Sequence, residues 1–158
     1  MTLFDRAFLP NVLALHASLR RHAGEFVLWV LCIDDETERC LYELSLPGVR
    51  TVPLRDVETP ELLAVKDGRE AREYYWTLTP FTPQIVFDRD PTASRATYID
   101  ADMWLSRSPD PIFRELDDSG AAVLITEHAY AKEFEQALAY GIYCVQFMPF
   151  VRDAGDGI

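Results

Sequence analysis

Positive charge is scarce in this chain: 15 lysines and arginines stand against 26 aspartates and glutamates, a net charge of −11. That balance repels a nucleic-acid backbone or an anionic membrane surface, so neither is expected as the main partner. Any phosphate that binds must be met locally, by a metal ion or a placed arginine. Cysteine is sparse too. Cys32, Cys40 and Cys144 form an odd count with no C-x-x-C pair and no metal-type spacing to histidine, which argues for reduced thiols in a reducing compartment. The first residues lack a basic start followed by an unbroken apolar stretch. No run approaches the ~20 apolar residues that a membrane span requires. A cytoplasmic protein with no membrane span is the expectation. Internal repeats and low-complexity segments are missing as well.

What the chain does hold is apolar material for a core, 49% of 158 residues, enough for one domain of ordinary size. Leu3, Phe4 and Asp5 read as the tail of a first strand. Residues 11–22 carry Val12, Leu15 and Leu19 at helical spacing, with Gly24 as the stop. Residues 26–33 are continuously apolar, as in a central parallel strand covered on both faces. Asp34, Asp35 and Glu36 stand where a cap and first-turn acids belong, opening a helix that runs through Leu44 and ends at Pro47-Gly48. A short strand over 49–54 follows, and Thr59-Pro60-Glu61 starts a short helix broken at Asp67-Gly68.

Residues 69–88 read as a longer helix that Pro80 and Pro83 bend or divide. A loop over 88–94 leads to a strand ending at Asp100. Beyond it the pattern predicts a helix of at most residues 112–116, a buried strand over 121–126, a helix over 131–138, a last strand over 142–150 and a loop over 153–158. Strands alternating with helices through short connections indicate a doubly wound α/β fold with a mostly parallel central sheet.

The chemistry centres on Thr97-Tyr98-Ile99-Asp100-Ala101-Asp102-Met103-Trp104-Leu105. An apolar strand delivers two carboxylates, one small residue apart, to the place where a strand ends. Side chains at i and i+2 of an extended chain point the same way, so Asp100 and Asp102 can share one ion. Hard oxygen donors suit Mg²⁺ or Mn²⁺, which keep positions open for water and substrate phosphates. Ala101 leaves room for a ligand to lie against the backbone. In open α/β sheets such ligands bind beyond the carboxyl ends of the strands, and Asp5 stands at another such end, just before Phe8. The bland reading of the aspartate pair is two acids capping the next turn.

Around this pair stand four further blocks: Glu73 to Pro80 (EYYWTLTP), Ser108 to Phe113 (SPDPIF), Ile125-Thr126-Glu127-His128, and Gly141 to Phe150 (GIYCVQFMPF). In that order the blocks resemble the GT-A fold nucleotide-diphospho-sugar transferases of the glycogenin and lipopolysaccharide galactosyltransferase branch, whose DxD motif the aspartate pair matches. The resemblance covers most of the chain. It implies a three-layer, Rossmann-like GT-A domain over residues 1–158 and a metal-dependent transfer of a hexose from a nucleotide sugar, a UDP sugar, to an acceptor hydroxyl. It also implies further helices after residue 158, so that the chain would be the N-terminal portion of a longer protein.

By the same resemblance Asp102 ligates Mn²⁺ or Mg²⁺ most directly, while Asp100 shares the ion or touches the ribose. Asp5, Phe8 and Ala101 fall at the nucleotide, Phe8 as a platform for uracil. Arg72, on the helix that faces the diphosphate, is the candidate phosphate ligand. Glu127, His128 and Gln146 fall at the donor sugar, Glu127 and Gln146 as the candidate catalytic groups and His128 as a possible approach to the metal. Relatives carry Asn and Gly where Cys144 and Gln146 stand here, a departure that bears on sugar specificity.

Two other readings compete. In haloacid-dehalogenase-type phosphotransferases an Asp after an apolar strand is the nucleophile and the Asp two residues on is the general acid. That class expects the pair near the start of the core, whereas here three strands come first and Met103-Trp104 follows. The third reading is a non-catalytic nucleotide-sugar-binding fragment or interaction module.

Overall fold

The computed structural model describes residues 1–152, and the loop expected over 153–158 lies outside them. The core of the fold is a mostly parallel sheet with helices on both faces, and a separate two-stranded pair forms later in the chain. Strand β1 (Thr2–Phe4) lies parallel to β2 (Leu28–Cys32), which lies parallel to β3 (Val49–Pro53), with Leu3 opposite Leu31 and Val30 opposite Thr51. All five residues of β2 are buried. A strand covered on both faces has no polar side to show, which is why its sequence is an unbroken apolar run.

Strand β4 (Arg95–Ile99) continues the sheet beyond β1. The Met1 amino group donates to the Thr97 carbonyl, and the Ile99 N–H donates to the Met1 carbonyl at 2.9 Å, the exchange of a parallel bridge. Strands therefore run in the order β3-β2-β1-β4, and the order reverses between β1 and β4. The far edge of β4 takes β7 (Phe147–Val151) antiparallel, with Ile99 opposite Phe147.

Alternate residues of β2 feed the two helical layers. Val30 and Cys32 pack with Leu9 and Val12 of α1 (Leu9–His22) and Leu41 of α2 (Asp35–Leu44). Trp29 and Leu31 face Leu62 of α3 (Pro60–Lys66), Tyr74 and Leu78 of α4 (Ala71–Leu78), and Ile85 of α5 (Thr82–Arg89). The helix expected over 69–88 is divided as its prolines require. Pro80 falls in a 3-10 turn (Thr79–Phe81) and Pro83 in the first turn of α5, where a missing N–H costs nothing. Helix α2 ends earlier than Pro47-Gly48, at Ser45 in the left-handed region (φ 44°).

Asp34 does double duty at the β2–α2 junction. Its Oδ1 accepts the Thr37 N–H at 2.6 Å and its Oδ2 the Arg6 N–H at 2.8 Å, joining α2 to the turn after β1. Burial pulls this carboxyl up, but the backbone N–H groups of Thr37 and Arg6 pull harder, and it sits below the usual carboxylate range. Asp34→Ala is expected to cost about 1 kcal/mol near pH 7. A group with a depressed folded pKa contributes stability above its unfolded value, about 3.9, and loses it as pH falls through the folded one. The penalty should therefore shrink below about pH 4, as urea denaturation at the two pH values would show.

Beyond β4 the structure corrects several expectations. Helix α6 (Asp110–Ser119) is ten residues, not a single turn, because Pro111 in its first turn preorganises the helix rather than preventing it. Residues 121–126 do not form a buried strand. Val123 makes one antiparallel bridge to Phe150, and Val123 and Ile125 are 37% and 47% exposed. Only Thr126–Glu127 (β5) is a strand there, pairing antiparallel with β6 (Tyr143–Cys144). The helix expected over 131–138 is a 3-10 segment (Lys132–Tyr140). The strand expected over 142–150 is broken into β6 and β7 at Val145-Gln146.

Candidate functional site

The chain reverses its path through the sheet between β1 and β4, and the carboxyl ends of these two strands stand at one side of that switch. A crevice at this position is where open α/β sheets receive ligands. Here it is a cleft of about 440 Å³. It is lined by Asp5, which follows β1, by Asp100-Ala101-Asp102, which follow β4, and by Phe8. Arg72, Tyr75, Trp76 and Thr79, from α4 and the turn after it, line it as well. Six of the residues singled out in the sequence thus share one cavity: Asp5, Phe8, Arg72, Asp100, Ala101 and Asp102.

The two aspartates differ in how they are held. Asp100 is half-buried, and its backbone N–H donates to the Gln146 carbonyl at 2.9 Å. Its Oδ1 accepts the Tyr98 hydroxyl at 2.6 Å. Burial raises its carboxyl above the usual range, the Tyr98 hydrogen bond opposes that, and the Asp102 charge adds to it. Asp102 is exposed, one step into a turn closed by the Met103 N–H on the Asp100 carbonyl at 3.1 Å. Burial, with the Asp5 and Asp34 charges, likewise raises the Tyr75 phenol in the cleft. Asp5 also accepts the Ala7 N–H at 3.0 Å, capping the turn between β1 and α1.

Three carboxylates line a cleft in which Arg72 is the one cationic side chain among the lining residues. Its guanidinium lies over the Trp76 ring, 5.1 Å from the centroid, one helical turn along α4. Both side chains are exposed, as is Phe8 at the rim. An anion entering such a cleft meets net repulsion unless a cation comes with it. The two hard carboxylates of Asp100 and Asp102 are of the donor type that suits a divalent ion. Among the described residues no group of three or more His, Cys, Asp or Glu side chains gathers to hold a metal.

Glu127, His128 and Gln146 do not enter this cleft. They line a second hollow, of about 630 Å³, that begins at Met103 and includes Trp104, Arg107 and Ser108. His128 stacks on Tyr130 with ring centroids 4.4 Å apart, and its N–H donates to Ile142, extending the β5–β6 pair. The Asp102-Met103 step therefore divides the anticipated residues between two neighbouring hollows. His16 of α1 is buried and its Nε2 lies 2.8 Å from the Pro47 carbonyl oxygen.

Sequence reasoning overlooked Tyr98, Tyr75 and Trp76 as cleft residues. The signals were present: Tyr98 is two residues from Asp100 in a strand, and Trp76 is four from Arg72 in a helix, spacings that share a face.

Fold and cleft together define an α/β protein with a GT-A-like glycosyltransferase fold. Over 97% of its length the chain superposes on mouse xyloside xylosyltransferase 1 in its apo form, with a TM-score of 0.63 at 16% identity, matching 66% of that chain. It superposes likewise on the WbbM bifunctional glycosyltransferase, with a TM-score of 0.59 at 13% identity, covering 97% of this chain and 31% of that one. In sequence it is 33% identical over 117 residues, 74% of its length, to the uncharacterized protein YfnF of Bacillus subtilis. It is 30% identical over 133 residues, 84% of its length, to the uncharacterized YfnD of the same organism. The chain spans 39% and 42% of the length of these two relatives. No family model matches the sequence.

Proposed function

We propose that this chain is a nucleotide-sugar-binding domain of a metal-dependent glycosyltransferase, moving a hexose from a UDP sugar to an acceptor hydroxyl. The observation that carries the reading is the acidic cleft at the switch point, which Asp100, Asp102 and Arg72 line together. The class of the superposed structures supports it. In hexose transfer the acceptor oxygen bonds to the anomeric carbon while that carbon's bond to the diphosphate breaks. The hydroxyl proton departs, and charge builds on the leaving UDP. A bound Mn²⁺ or Mg²⁺ supplies positive charge to that leaving group.

The chain's own groups do the rest. Asp100 and Asp102 hold the cation, and Arg72 donates to phosphate oxygens with its planar fork kept in place by the Trp76 ring. Phe8 offers an exposed face for the base, Asp5 sits within reach of the nucleoside, and Ala101 admits it close to the backbone. In this reading the second hollow, which Glu127, His128 and Gln146 line, receives the sugar and the acceptor; Glu127 takes the hydroxyl proton, and Gln146 and His128 hydrogen-bond the sugar.

Calorimetric titration of UDP tests the reading. Binding in Mn²⁺ should be at least about tenfold tighter than in EDTA, since a metal–phosphate contact is worth several kcal/mol. Equal affinity in the two buffers would overturn it.

A further inference from the structure

Tyr98 is 5% exposed, yet its side chain lines the cleft, and its hydroxyl is spent on the one acid of the pair that is itself half-buried. We propose that Tyr98 is the positioning residue of the cation seat, its hydroxyl fixing the Asp100 carboxylate through one oxygen and leaving the second to ligate the ion that Asp100 and Asp102 would hold. The inference rests on the metal-dependent reading above.

Three observations carry it. The Tyr98 Oη to Asp100 Oδ1 distance, 2.6 Å, is that of a charge-assisted O–H···O⁻ bond, the strong kind. Tyr98 and Asp100 lie two residues apart along β4 and its extension, so one face of the chain presents both, and the buried ring cannot swing away. Asp100 is also tied at its backbone by Gln146, which leaves the side-chain torsions as its remaining freedom, and the hydroxyl removes that. Asp102, exposed on the turn, adapts to whatever ion and phosphate arrive. The seat therefore has one fixed and one compliant jaw. Groups that hydrogen-bond a metal-ligating carboxylate commonly change metal affinity 10–100-fold when removed.

Mn²⁺ binding, read from the loss of the free-ion EPR signal, tests this without any sugar. Tyr98→Phe keeps the ring and deletes the hydroxyl, and should weaken Mn²⁺ binding about tenfold while the melting temperature in EDTA stays within a few degrees. On an Asp100→Ala background, titrated to millimolar Mn²⁺, the same change should subtract nothing more, because the carboxylate that the hydroxyl holds is gone. Unchanged Mn²⁺ affinity in Tyr98→Phe, with binding lost in Asp102→Ala, would overturn the Tyr98 role and leave the seat standing. An equal loss with Asp100 altered would overturn it too, since Tyr98 would then act through another group. A lower melting point with wild-type Mn²⁺ affinity would make Tyr98 a packing residue only. Failure of the unaltered protein to bind Mn²⁺ would overturn both the inference and the reading beneath it.

Discussion

Asp102→Ala is expected to abolish the manganese-dependent part of UDP binding and to lower hexose transfer, or slow donor hydrolysis, at least about 100-fold. The size follows from where the charge sits. Asp102 is exposed at the cleft mouth and accepts none of the backbone bonds that hold the turn, which closes through Met103 and the Asp100 carbonyl. Its removal should leave stability within about 0.5 kcal/mol, as for most surface substitutions. The loss of binding and the intact fold would then appear in one variant. Asp102→Asn is the sharper form, because it keeps size and removes only charge. If Asp102→Ala retains full metal-dependent affinity, the cation is held elsewhere and the cleft has been misassigned.

The largest expected loss of stability is at Tyr74, in the layer that frames the cleft from behind. Its ring is 2% exposed among Trp29, Val52 and Leu78. Its hydroxyl donates to Glu58 Oε1 at 2.8 Å, the same oxygen that pairs with the Lys66 ammonium at 2.6 Å. Lys66 in turn lies over the Tyr74 ring, 5.2 Å from its centroid. Tyr74→Ala leaves a cavity and withdraws a donor from a largely buried carboxylate, for about 3–5 kcal/mol and a fall in melting temperature on the order of 10 °C. Tyr74→Phe, which keeps the ring, should cost about 1 kcal/mol. Equal losses in the two variants would mean that the hydroxyl, not the ring, dominates.

The first hundred residues were readable because each signal there has one physical meaning. An unbroken apolar run such as Leu28 to Cys32 suits a strand covered on both sides, and Asp34 and Thr59 announce helix starts because their oxygens answer unpaired N–H groups. Strand ends at a switch point converge whatever the loop lengths, which is why Asp5 and the aspartate pair share one cleft; Arg72, on α4, came from the resemblance instead. The run from Ala121 to Thr126 is equally apolar but stands half outside. Hydrophobicity tells what a segment would gain by burial and says nothing about whether a neighbour is there to bury it. Tyr98 escaped for the opposite reason. A tyrosine in a strand reads as packing, and only the distance from its hydroxyl to Asp100 shows a second task.

The partner that β7 provides for β4 comes from far along the chain, Ile99 meeting Phe147. While the polypeptide is being made, the strand that ends in the two aspartates waits for nearly fifty more residues with one flank unpaired. Long-range closures of this kind are slow, and an open flank invites a wrong neighbour. Completion of the strand that carries the aspartate pair is therefore expected late in folding, once Phe147 to Val151 can pair with it.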